Sequence, residues 1–180
     1  MRWFLAPAVL LLALPVIAQD ANQAPKPADL RTVLLQGLHE THNHKNWFVS
    51  AKDATAGLTA EQSNWTQGKG NHSVGQLVYH LVYWNSEVLG QLKGEPGKKF
   101  DGNNDATFTN YDSKQWEATL TKYDEVMTEI EKIVESADQA KLEKMSATIA
   151  RVGEHNAYHI GEMVVIRKLQ GSWNPDQGVK

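Results

Sequence analysis

Trp116, Leu120, Tyr123, Met127, Ile130 and Val134 recur at intervals of three and four residues. That spacing draws one apolar seam along an α-helix, and no strand can use it, because strand faces alternate with a period of two. Asp112 or Ser113 stands where such a helix would begin. Three more segments carry the same signature. Asp29 can cap a helix running to about Ala54, with Leu30, Val33, Leu34, Leu38, Thr41 and Phe48 on one face. Ser73 can cap a second, ended by Gly94-Glu95-Pro96-Gly97. A fourth runs from about Ser146 to Gln170 and stops at Gly171, with Pro175 beyond. The stretches 57–71 and 98–110 read as loops, and 136–144 reads as a polar connection with room for a helical turn. No segment alternates like a strand and there is no internal repeat, so the expected fold class is all-α, a four-helix bundle.

The first residues follow another logic. Met1-Arg2 gives a positive start, Trp3 to Ile17 is almost wholly apolar, and Val16-Ile17-Ala18 offers a cleavage site. This is the layout of a secretory signal peptide over residues 1–18. The apolar run falls short of the roughly 20 residues a spanning helix needs, although a retained N-terminal anchor is the other reading. Residues 19–28, with Pro25 and Pro27, form a polar linker. The bundle domain then occupies 29–174, and 175–180 is a tail. A periplasmic or secreted location follows, with no membrane span once the signal is removed.

Composition closes off several functions. The formal net charge is -3, so nothing offsets phosphate charge and nucleic acid is not an expected partner. There is no cysteine; a thiolate nucleophile, a thiolate metal ligand and a lipidated N-terminal cysteine are all excluded. Any metal must be held by nitrogen and oxygen.

Seven histidines supply that nitrogen. His155 and His159, four residues apart, are separated by about 40° and about 6 Å on a helix, close enough to aim at one point. They share the side of Val152, Met163 and Ile166, whereas Arg167 and Lys168 fall away from it. Buried imidazoles need partners, and a metal ion partners both; ordinary hydrogen bonds in a core are the alternative. The pattern His155-Asn156-Ala157-Tyr158-His159 is not a zincin motif, which needs Glu where Asn156 stands. His80 borders the apolar face beside Leu77 and Trp84 and could reach across to His155 and His159. Three histidines would leave coordination positions open, as in catalytic sites. His44 shares the face of Val33 and Phe48 and is a candidate further ligand. His39 and His42 point to the flank and are expected in solvent. His72 is a loop residue too far from His80 to share its metal. Glu162, one turn beyond His159, could orient its imidazole, ligate the metal or act as a catalytic base.

Two segments then resemble a known family. Asn71-His72-Ser73-Val74-Gly75-Gln76-Leu77-Val78-Tyr79-His80-Leu81-Val82-Tyr83-Trp84 is similar to the second-helix signature of DinB-like proteins, and His155-Asn156-Ala157-Tyr158-His159-Ile160-Gly161-Glu162 to their fourth. The resemblance extends from about Asp29 to Trp173. It implies an up-down-down-up bundle, a divalent metal (zinc or nickel) on His80, His155 and His159, and frequent homodimers. Family activities include metal-dependent transfer of small thiols, and many members are classed as metal-dependent hydrolases without an established substrate. This chain departs in two ways. Glu162 replaces the usual Gln, adding negative charge near the metal, and export removes the chain from the reducing compartment that thiol transfer needs. The expected function is a metal-dependent hydrolase or transferase acting on a small molecule; a non-catalytic exported protein that binds metal or a small ligand is the alternative.

Overall fold

A computed structural model describes residues 28–97 and 100–178. The expected signal peptide over 1–18, the expected linker as far as residue 27 and the last two residues of the expected tail lie outside the described residues. Among those described there is no strand, and the α-helices are α1 (Leu30–His42), α2 (Ala51–Thr55), α3 (Ala60–Ser63), α4 (Val74–Leu92), α5 (Ala106–Thr109), α6 (Trp116–Ser136) and α7 (Gln139–Gln170). No helix among them is long and apolar enough to cross a membrane. The four long helices carry the architecture: α1 and α4 each pack on both α6 and α7.

Side-chain pairs fix how these helices lie. Arg31, at the start of α1, donates to the carbonyls of Val134, Glu135 and Ala137 at the end of α6. Near the other end of α1, the Thr41 carbonyl accepts from the Tyr123 hydroxyl. Along α4 the order is reversed relative to that pair: Tyr79 lies near Tyr111 just ahead of α6, and Asn85 donates to the Met127 sulfur. Asn85 also donates to Asn156 of α7. The core between the helices is built on Leu38, Leu77, Leu81, Trp116, Met127, Ile130, Ile149, Ile160 and Met163, all essentially inaccessible to solvent.

The helix ends follow from short polar residues. Ser73 caps α4 as expected, with Gln76 completing a capping box. Asp112 caps a 3-10 turn that leads into α6. Three boundaries differ from the sequence reading. α1 stops at His42 rather than near Ala54, because Ser50 and Asp53 form a separate capping box that starts α2. Phe48 therefore sits in a connection rather than on the α1 face, and Val33 is exposed. A second capping box, Thr59 with Gln62, nucleates α3 inside the expected loop. α7 starts at Gln139, capped by Asp138, since Leu142 and Met145 continue the buried stripe of Ile149 and Val152 toward the N-terminus.

Arg167 is a further correction. It does not fall away from the core but is buried, donating to the Ala54 and Ser172 carbonyls and stacking its guanidinium over Trp173. A guanidinium can be buried this way because carbonyls accept from both of its terminal nitrogens and an aromatic face takes its charge. It ties α7 to α2.

Candidate metal centre

α4 carries His80 inward and α7 carries His155 and His159 one turn apart, so three imidazoles meet between the two helices. The Nε2 atom of His155 lies 3.2 Å from Nε2 of His80 and 3.0 Å from Nε2 of His159. The rings stand nearly perpendicular to one another, at 70° to 77°. His80 and His159 are buried, His155 half-buried.

The remaining ring nitrogens decide what these three atoms can do. His159 Nδ1 meets Glu162 Oε2 at 2.6 Å. A carboxylate only accepts, so the proton is on Nδ1 and Nε2 holds a lone pair. His80 Nδ1 meets the Thr107 hydroxyl at 2.6 Å, and that hydroxyl donates to the Asn104 carbonyl, also at 2.6 Å. With its one hydrogen committed, Thr107 accepts from His80 Nδ1, which again leaves the lone pair on Nε2. Two lone pairs thus converge on a third nitrogen that, in neutral His155, offers at most one proton. A cation answers that arrangement. Three nitrogens on one zinc-like ion at about 2.0–2.1 Å and tetrahedral angles stand about 3.3 Å apart, close to the two spacings His155 makes here, and all three lie within 4.8 Å of one another.

Electrostatics agree. Burial pushes the His80 imidazole down to about 3, helped by His159, His155 and His72. Burial, then the neighbouring His159, lowers His155, and burial also lowers His159 despite the pull of Glu162. All three imidazoles are therefore neutral near neutral pH, with lone pairs available to a cation. Among the described residues they form the one group of three or more histidine or acidic side chains close enough to hold a metal ion.

His80 is held by more than Thr107. The Phe108 ring stacks on it at 3.9 Å and 7°, and His72 stacks on Phe108 at 3.9 Å and 9°. Thr107 and Phe108 come from α5, in a stretch expected to be loop; no periodicity there marks them. His72 stays outside the ligand group, as its position before Ser73 implies, but it supports the site through this stack. His44 is not brought to the centre: it is exposed and its Nδ1 pairs with Asn43. His42 corrects the sequence reading outright. Instead of facing solvent it is buried, with Nδ1 2.9 Å from Glu131 and Nε2 2.9 Å from Asp124.

A family model for the DinB superfamily matches residues 51–166, a span that includes all three histidines. The chain belongs to the DinB superfamily. No curated protein and no solved structure matches it significantly. In this DinB-like protein the three histidines lie between the second and fourth long helices. Asn156 is fully buried, bonded to Asn85 and Met127. Tyr158 is exposed beside Glu162, whose charge pushes the phenol upward.

Proposed function

We propose that this DinB-like chain is an exported metal-dependent hydrolase whose divalent ion, zinc or nickel, is held by His80, His155 and His159. The observation that carries the reading is the convergence of three Nε2 atoms whose His80 and His159 members are turned inward by Thr107 and Glu162. The up-down-down-up helix order belongs to the same reading. It is supported by the antiparallel pairing of α1 with α6 and the parallel pairing of α4 with α6 that the side-chain contacts describe.

A divalent ion at this position supplies Lewis acidity, lowering the pKa of water and polarising a carbonyl or phosphoryl oxygen. The protein's own groups do the rest. Thr107 and Phe108 keep the His80 ring in one orientation. Glu162 fixes the His159 tautomer through Oε2 and lines a cavity of about 480 Å³ with His72 and Leu77. Its Oε1, the oxygen not engaged by His159, receives a proton from the attacking water and returns it to the leaving group.

The test is elemental analysis of the purified protein beside His159→Ala, followed by a panel of ester, amide and phosphoester substrates at matched metal loading. Metal bound by the wild type and lost from the variant, with hydrolysis that follows metal content, is the expected result. Equal metal in both proteins sinks the site; turnover that survives metal removal sinks the mechanism. N-terminal sequencing of protein recovered from the producing cell tests export, with a first residue after Ala18 expected.

A further inference from the structure

A second cavity, of about 490 Å³, opens on the opposite side of the triad from the Glu162 cavity and is lined by His80, His155, Trp84, Gln91, Asn104 and Arg151 among others. Arg151 precedes His155 by four residues, which places it on nearly the same face of α7 and about 6 Å along its axis. The guanidinium is exposed and, among the described residues, makes no hydrogen bond or ion pair. Among the described residues no carboxylate lines this cavity, and Arg151 is the one formal charge on its lining. The Trp84 wall is fixed, with its Nε1–H donated to Asn104 Oδ1 at 3.2 Å and its ring edge-on to Phe100.

These features have an evident complement. An unpaired guanidinium presents a planar fork of donors matched to a carboxylate. In this cavity Arg151 stands one helical turn before His155, beside a flat aromatic wall. We propose that the substrates are short acyl compounds carrying a free carboxylate. Arg151 binds that carboxylate, and the hydrolysable carbonyl, a few bonds away, reaches the triad; Arg151 and His155 lie about 6 Å apart along the α7 axis. The inference rests on the metal-centre reading for the position of the carbonyl, but not for the capture of the anion. The two cavities then divide the labour: one charge of each sign flanks the triad, Arg151 to hold the substrate and Glu162 to move the proton.

Two probes test this on the cobalt-loaded protein, read by its visible spectrum: acetohydroxamate, and the monohydroxamate of succinic acid, which adds a carboxylate at the required reach. Wild type should bind the carboxylated probe about tenfold more tightly, the scale of one charge-assisted paired contact. Arg151→Gln should bind both probes alike with unchanged cobalt content, Arg151→Lys should keep part of the preference, and added salt should shrink it. A wild type without preference, or Arg151→Gln with the preference intact, overturns the inference while leaving the metal site standing. Should the protein hold no metal, the hydroxamates are replaced by glutarate on the metal-free chain. The Arg151 Nε–H resonance, assigned by its loss in Arg151→Gln, is then followed by NMR. A saturable shift preserves the anion site though the hydrolase reading has failed; no shift overturns it.

Discussion

Replacing Glu162 with glutamine keeps an oxygen acceptor for the His159 Nδ1–H but removes the negative charge behind it. The contact is short, 2.6 Å, yet the Glu162 side chain is 40% exposed. A hydrogen bond to a charged group contributes about 1.5–3 kcal/mol and a neutral one about 0.5–1.5 kcal/mol, so the charge alone accounts for roughly 1–1.5 kcal/mol. Solvent screening at a site this open reduces that to about 1 kcal/mol, or about fivefold in metal affinity. Glu162→Ala removes the acceptor as well and belongs in the 10–100-fold range typical of groups that orient ligating histidines, roughly 1.4–2.7 kcal/mol. Competition of each variant against a chromophoric chelator for zinc, at one pH and one ionic strength, measures both steps. The expected order is wild type, Glu162→Gln, Glu162→Ala, then His159→Ala. A Glu162→Gln protein as weak as His159→Ala would show that Glu162 is itself a ligand. One that binds as tightly as wild type would show that the carboxylate contributes no electrostatic support.

Thr107→Val, nearly isosteric, leaves His80 Nδ1–H buried without an acceptor at a cost of about 1–3 kcal/mol; zinc affinity in the same competition should fall 10–100-fold with helical content unchanged. His42→Gln should destabilise the fold by about 3 kcal/mol in urea unfolding, because Glu131 is left charged and largely buried; the value sits at the low end since Asp124 is mostly in water. Burial alone would lower the His42 pKa, but hydrogen bonds and charge from Glu131 and Asp124 raise it above 6.5. The imidazolium therefore contributes fully below pH 6.5 and its contribution is lost as pH rises through the folded value. The stability gap between wild type and His42→Gln should narrow on that side; a gap that widens with rising pH would refute the clamp. Gly75→Ala should be destabilising by about 1–3 kcal/mol despite the helix propensity of alanine, because the added Cβ overlaps the Tyr111 ring that is bonded to Ser63. A neutral or positive change in thermal midpoint would show that the ring moves freely.

How much of this was legible in the sequence depends on whether a signal is local. The seam of α6 and the Ser73 and Gly171 boundaries are local, since caps and apolar spacing act within a few residues, and they stand where expected. His155 and His159 are legible for the same reason. The start of α7 was hidden because lysine and glutamate dominate 139–144 while only Leu142 reaches the core there. The break after His42 is not legible because the apolar pattern runs on to Phe48, and only the Ser50–Asp53 box marks the restart. Non-local partners leave no trace in spacing at all. Nothing near His42 announces Glu131, 89 residues away in the chain, and nothing near Arg167 announces the carbonyl of Ala54. Thr107 and Phe108 are the sharpest case, because their meaning exists only once α5 lies against α4.

That last contact bears on how such a centre could be moved to another scaffold. α5 is four residues long, yet it supplies both the oxygen that sets the His80 proton and the ring that fixes its plane. Grafting three histidines at matching positions onto a bare designed bundle would reproduce the ligands and lose the orientation of one of them. The transplantable unit is the second long helix together with the insertion that follows it. A library that randomises residues 100–110 while holding Thr107 and Phe108 would separate what the insertion does for the metal from what it does for whatever enters beside it.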